Sequence, residues 1–196
     1  MHPSPGPGDR LTALGTQLIE IHQWLREELA QLRAGLAPDA TPPDTAPPDT
    51  APPDTAPPGS APPGAAPPGD GGRLRSLRAH CLSFCAALTA HHTGEDAGAF
   101  RALAAEEPRL RPVLEKLAQD HRLIDGIVRR VEELVAGPRP AHPAAAARVL
   151  AELDGLTAII ESHFGFEERT IVAALDALGA EAGSARELFG LAPPAW

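Results

Sequence analysis

Apolar residues recur at intervals of three and four along most of this chain, and no stretch alternates apolar with polar residues as a half-buried strand would. That period confines the fold to packed helices. Leu11, Leu14, Leu18, Leu25, Leu29 and Leu32 predict a helix over about 9–37. Leu74, Leu77, Cys81, Phe84 and Leu88 predict a second over about 72–93. Leu110, Leu114, Leu117, Ile124, Val128, Val131 and Val135 give a third over about 109–136. Val149, Leu153, Leu156, Ile160 and Ile171 give a fourth over about 144–178, with Gly179 placed as its C-cap. Ala, Leu, Arg and Glu dominate these stretches, as helix propensity favours. The segment AGAFRALAAEEP turns the chain between the second and third stretches, and GPRPAHP at 137–143 breaks it before the fourth. The expected fold is all-α: an antiparallel up-down-up-down four-helix bundle, a single domain over 9–179, with a loose tail over 180–196.

Residues 38–72 interrupt this pattern with a near-pentapeptide repeat, PDATPPDTAPPDTAPPDTAPPGSAPPGAAPPGDGG. The tract lacks apolar bulk, and proline removes the donors that helices and ladders need. It reads as an extended polyproline-II-like spacer inserted between the first and second helices. It leaves roughly 160 residues, enough for one domain with its own core. The formal net charge of −9 argues against a nucleic-acid binder, which would need a basic stripe, and against attachment to anionic lipid. No apolar run approaches the roughly 20 residues of a membrane span, and the opening MHPSPGPGDR has no apolar signal core, so the expected location is cytoplasmic. Cys81 and Cys85 lie four apart, which on a helix reads as two small core residues rather than a disulfide.

Each predicted helix carries a histidine on its apolar stripe: His22, His91, His121 and His163. Two of them have a glutamate four residues on, Glu95 and Glu167, which places acid and imidazole on one helix face about one turn apart. A lone histidine on an apolar face is ordinarily a core residue, but one per helix is a different matter. In an antiparallel register His91 and His121 stand about 15 residues either side of their connection, His121 and His163 straddle the break at 137–143, and His22 and His91 stand about 15 and 18 residues from the proline tract. All four therefore fall in one layer. Buried carboxylates in that layer are costly unless paired or bound to a cation. Mixed imidazole and carboxylate donors suit iron or manganese, and zinc less exclusively; six donors exceed one tetrahedral zinc and favour two metal ions. His92 and Asp125 are further candidates for the metal. Asp96 and Glu168 read as capping or surface charges, and His80, His142 and His2 as lying off the layer.

The motifs HHTGEDAGAF, QDHRLID and HFGFEE, following His22, resemble the second-, third- and fourth-helix motifs of the hemerythrin-like proteins that carry the HHE cation-binding domain. The resemblance spans 9–178 apart from the proline tract. It implies a four-helix bundle around two non-haem iron ions joined by an oxo or hydroxo bridge. Glu95 and Glu167 would bridge, and His22, His91, His121 and His163 would bind terminally. It also implies that the chain binds or reacts with O2, peroxide or nitric oxide, catalase- or peroxidase-like chemistry included; the alternative is a non-catalytic iron or redox sensor or a metal-binding interaction module. Oxygen carriers of this family have H-x3-H on the third helix, where this chain has Asp125, and H-x4-D on the fourth, where it has H-x3-E. One histidine fewer leaves room for an exogenous ligand, which favours peroxide or nitric oxide over reversible oxygen storage.

Overall fold

The computed structural model describes residues 13–36, 70–137, 142–178 and 182–194, and its regular elements are helical throughout. Helix α1 spans Leu14–Leu36, α2 Asp70–Ala97, α3 Ala99–Glu106, α4 Arg111–Ala136, α5 Pro143–Leu178 and α6 Ala185–Phe189. The proposed start of the first helix at 9–12, the proline tract up to residue 69, and Gly179 lie outside the described residues.

Three expectations are revised. The second helix runs on through the HHTGED hexapeptide to Ala97, so those residues are helix interior. The turning segment is itself the helix α3, which buries Ala99, Phe100 and Leu103, and a short 3-10 turn, Pro108–Leu110, leads into α4. The tail is not loose where it is described: residues 185–189 form a helical turn with Ala185, Leu188 and Phe189 buried. Ser184 and Glu187 form a reciprocal capping box at its start, and Gly190 closes it at φ 68°, a left-handed conformation that glycine adopts without steric strain.

The helix faces pack as their stripes dictate. α1 lies against α5 and α2, and α4 against α2 and α5. Contacts between α1 and α5 ascend one helix while descending the other: the Gly15 amide donates to Asp176 at 2.8 Å, Arg26 to Glu161 at 2.7 Å, and Arg33 to Asp154 at 2.5 Å. Between α2 and α4 the same holds, with His121 against Asp96, the Cys85 thiol against the Val128 carbonyl, and Arg78 donating to the Ala136 carbonyl. The enclosed core includes Leu18, Ile21, Leu25, Phe84, Leu88, Leu117, Ile124, Ile160 and Phe164, all essentially without solvent contact. Cys81 and Cys85 are free, buried core thiols. Among the described residues no helix is long and apolar enough to cross a membrane.

Candidate metal centre

The stripes that build the core carry polar residues into its middle. His22, His91, His92, Glu95, His121, His163 and Glu167 are all buried, His22, His91 and both glutamates completely so. They come from α1, α2, α4 and α5 and meet at short range. His22 Nε2 stands 2.9 Å from His91 Nε2. Glu95 has one oxygen 3.4 Å from His91 Nε2 and the other 3.6 Å from His121 Nε2. Glu167 Oε2 is 3.6 Å from both His22 Nε2 and His163 Nε2. Each carboxylate thus lies between two histidines of different helices.

The outer edges of three rings are fixed by acceptors. His22 Nδ1 donates to Glu168 at 2.9 Å, His121 Nδ1 to Asp96 at 3.0 Å, and His91 Nδ1 to the Phe189 carbonyl at 3.2 Å. A carboxylate or a carbonyl can only accept, which assigns the proton to Nδ1 in each ring. Burial lowers the basicity of His22 against the opposing pull of Glu168, and burial with the neighbouring His22 holds His91 well below the usual imidazole range. Both rings are therefore neutral with bare Nε2 lone pairs, and those lone pairs face each other at 2.9 Å. Such a contact is repulsive unless a proton or a metal ion lies between the two nitrogens.

The other donors tell the same story. His92 Nε2, His121 Nε2, both nitrogens of His163 and all four oxygens of Glu95 and Glu167 are buried without a hydrogen-bond partner. An orphaned buried polar atom ordinarily costs about 1–3 kcal/mol, and more if charged. Burial lowers His121 to about 4 and, with His121 beside it, His163 to about 3; His92 is likewise held well below its usual value by burial and by His121. Burial raises Glu167 to about 8, and burial and the nearby Glu167 raise Glu95 well above the carboxylate range. Neutral imidazoles are ready ligands; the two acids would release protons to a cation. The donor set sorts into His22, His91 and Glu95 on one side, His92, His121 and His163 on the other, and Glu95, His121 and Glu167 across the middle. The residues present therefore fit a pair of metal ions.

Residues 14–175 match the family described as the hemerythrin HHE cation binding domain. The chain belongs to that family. No curated protein and no solved structure gives a match. The match ends before α6, so the Phe189 carbonyl that meets His91 lies beyond the matched residues.

Sequence reasoning placed His22, His91, Glu95, His121, His163 and Glu167 in one layer, and the fold gathers all of them. His92, left open by the sequence, is inside the cluster, its ring stacked on His121 at 4.1 Å. Asp125 is not: that face of α4 fronts solvent, where Asp125 is exposed and acts on Asp96 only through charge. Asp96 and Glu168 are more than capping or surface charges, because each holds a cluster histidine. Glu168 also accepts from Arg26 at 2.9 Å, and these two hydrogen bonds outweigh burial and hold its carboxyl below the usual range. Their signal was present in the sequence: in HHTGED and HFGFEE the acid that faces the cluster is followed at once by a second. His80 lies apart, bonded to the Glu28 carbonyl, and His142 is exposed.

Proposed function

We propose that this HHE-family chain is a non-haem di-iron protein, built as an up-down-up-down antiparallel four-helix bundle, whose centre binds or reacts with O2, peroxide or nitric oxide. The observation that carries the reading is the inward-facing set of buried, partnerless nitrogens and oxygens on four helices. A single cation could not use them all, and Glu95 and Glu167 each reach towards histidines on both sides. Mixed nitrogen and oxygen donors favour iron, with manganese or zinc as competitors. When bound, an iron pair supplies electron exchange with small oxygen or nitrogen species.

The chain's own residues prepare that chemistry. Glu95 and Glu167 would neutralise the bound cations, and Asp96 and Glu168 orient His121 and His22 and would raise their donor strength. Phe164 stacks on His22 at 4.1 Å and Phe100 on His121 at 5.4 Å, fixing ring planes and excluding water. Leu25, Leu88, Ile124 and Ile160 complete the apolar wall. His163 has no orienting acceptor at Nδ1 and borders a cleft of about 340 Å³ between α4 and α5 that is open to solvent. That cleft is the route by which a small diatomic or peroxide reaches the cluster. The free thiols of Cys81 and Cys85 fit a reducing cytoplasm.

The test is metal content with the optical spectrum of protein purified from iron-supplemented cells. About two irons per chain with near-ultraviolet charge-transfer absorption, lost in His121→Ala, is the expected result. One zinc, or no metal, overturns the reading. Oxygen evolution from added peroxide, measured on the same sample, separates catalysis from sensing.

A further inference from the structure

The C-terminal turn α6 touches the centre through a backbone atom, and α2 is shaped to receive it. On α2 a Cβ at Gly94 would collide with the Gly190 amide and the Phe189 carbonyl carbon, and one at Gly98, just past the end of α2, would stand 2.5 Å from the Glu187 carbonyl oxygen. A Cβ at Gly190 would in turn strike the Ala90 carbonyl. Gly94, inside α2, carries a propensity loss of about 1 kcal/mol against alanine, and Gly98 joins α2 to α3 in a non-helical conformation. Here they allow backbone-to-backbone approach along a groove from Ala90 to Gly98. Phe189 and Leu188 are buried there, and the capping box at Ser184 fixes where α6 begins. The groove brings the Phe189 carbonyl to His91 Nδ1 at 3.2 Å. Of the cluster histidines with an orienting acceptor, His22 and His121 use side chains of α5 and α2; His91 alone depends on α6.

We propose that α6 is a clasp coupled to metal occupancy, with the Phe189 carbonyl as the positioning group for His91. The proposal rests on the di-iron reading. Docking of α6 holds the His91 proton on Nδ1 and aims Nε2 at the cluster, which raises affinity for the cation. Coupling between two equilibria is reciprocal: whatever factor α6 docking adds to metal affinity, metal binding adds to α6 docking. Emptying the centre therefore loosens the C-terminal turn and uncovers the Gly94–Gly98 groove. Metal state is in this way reported at the surface, more than 90 residues along the chain from His91.

The experiment compares the full chain with Gly94→Ala, which blocks the groove while removing no histidine and favours α2 as a helix, and with Gly190→Ala, which blocks it from the α6 side. Iron affinity is read by competition with a chelator, helix content by circular dichroism, and protection of amides 185–190 by hydrogen exchange with and without iron. Both variants are expected to keep the helical spectrum and bind iron 10- to 100-fold more weakly, the range typical of lost outer-sphere partners. In the full chain, iron is expected to slow exchange at 185–190 by a matching factor. Iron bound with undiminished affinity by helical Gly94→Ala, or exchange at 185–190 indifferent to bound iron, overturns the clasp and leaves the di-iron reading intact. A full chain that takes up no iron overturns both.

Discussion

Replacing Glu167 by glutamine is expected to change the protein's stability in opposite directions with and without metal. Burial raises Glu167 from about 4.5 to about 8, so without a cation the folded chain keeps this proton at neutral pH. The unfolded chain does not. Between those two values the unfolded state binds fewer protons, and stability falls as pH rises, by about 1.36 kcal/mol per pH unit for one group. By pH 7 the loss is about 3 kcal/mol. Glutamine matches the protonated acid in shape and does not titrate. Metal-free Glu167→Gln should therefore equal wild type near pH 4.5 and exceed it by about 2–4 kcal/mol at pH 7. With iron the order reverses, because the amide cannot neutralise cations or offer an anionic oxygen to His22 and His163. Urea unfolding of chelator-treated and iron-loaded samples from pH 5 to pH 8 reads both effects. A chelated variant less stable than wild type at pH 7, or one keeping the wild-type slope, would refute the argument that Glu167 is buried, protonated and awaiting a cation.

On the acid side the imidazoles act with the opposite sign. Burial holds His121 at about 4 and His163 at about 3, so below 6.5 the unfolded state binds more protons and metal-free stability drops as pH falls towards those values; with the Glu167 effect, unfolding midpoints should peak between about pH 6 and pH 7. Glu168→Ala strips His22 of its acceptor and Arg26 of a partner, and should weaken iron binding 10- to 100-fold in a chelator competition while the helical spectrum persists. Gly15→Ala places a methyl 2.7 Å from both Asp176 Oδ1 and Val172 Cγ1, and should lower unfolding free energy by about 1–3 kcal/mol with iron content unchanged.

The helices and the ligand layer were legible because both obey a short period. Apolar residues at three and four mark the buried face, and a histidine on that stripe shares its fate; register followed from helix rise alone. What escaped sequence reading obeys no such period. α3 was read as a turn because AFRALAAE is too short to show a stripe, although Phe100 and Leu103 are buried. α6 is too short to show a period and is followed by the proline pair of LAPPAW, although Ser184 and Glu187 carry a capping signature and Gly190 a stop. The roles of Asp96 and Glu168 depend on which helix stands opposite, a property of packing that no single segment contains. Asp125 shows the converse: its spacing after His121 repeats that of Glu95 after His91, but its face of α4 meets solvent.

The hexapeptide HHTGED concentrates these roles to an unusual degree. His91, His92 and Glu95 point into the cluster, Asp96 steadies a histidine on another helix, and Gly94 gives up its side chain to a passing backbone. Thr93 faces solvent outright, and Asp96 is partly exposed while it holds His121. Information is thus packed into this one stretch as it is in few others of the chain. In a saturation-mutagenesis map the tolerance profile across 91–96 would be a single narrow peak at Thr93 in a floor of intolerance, and drift at the other positions would have to be matched on α4, α5 or α6 to survive.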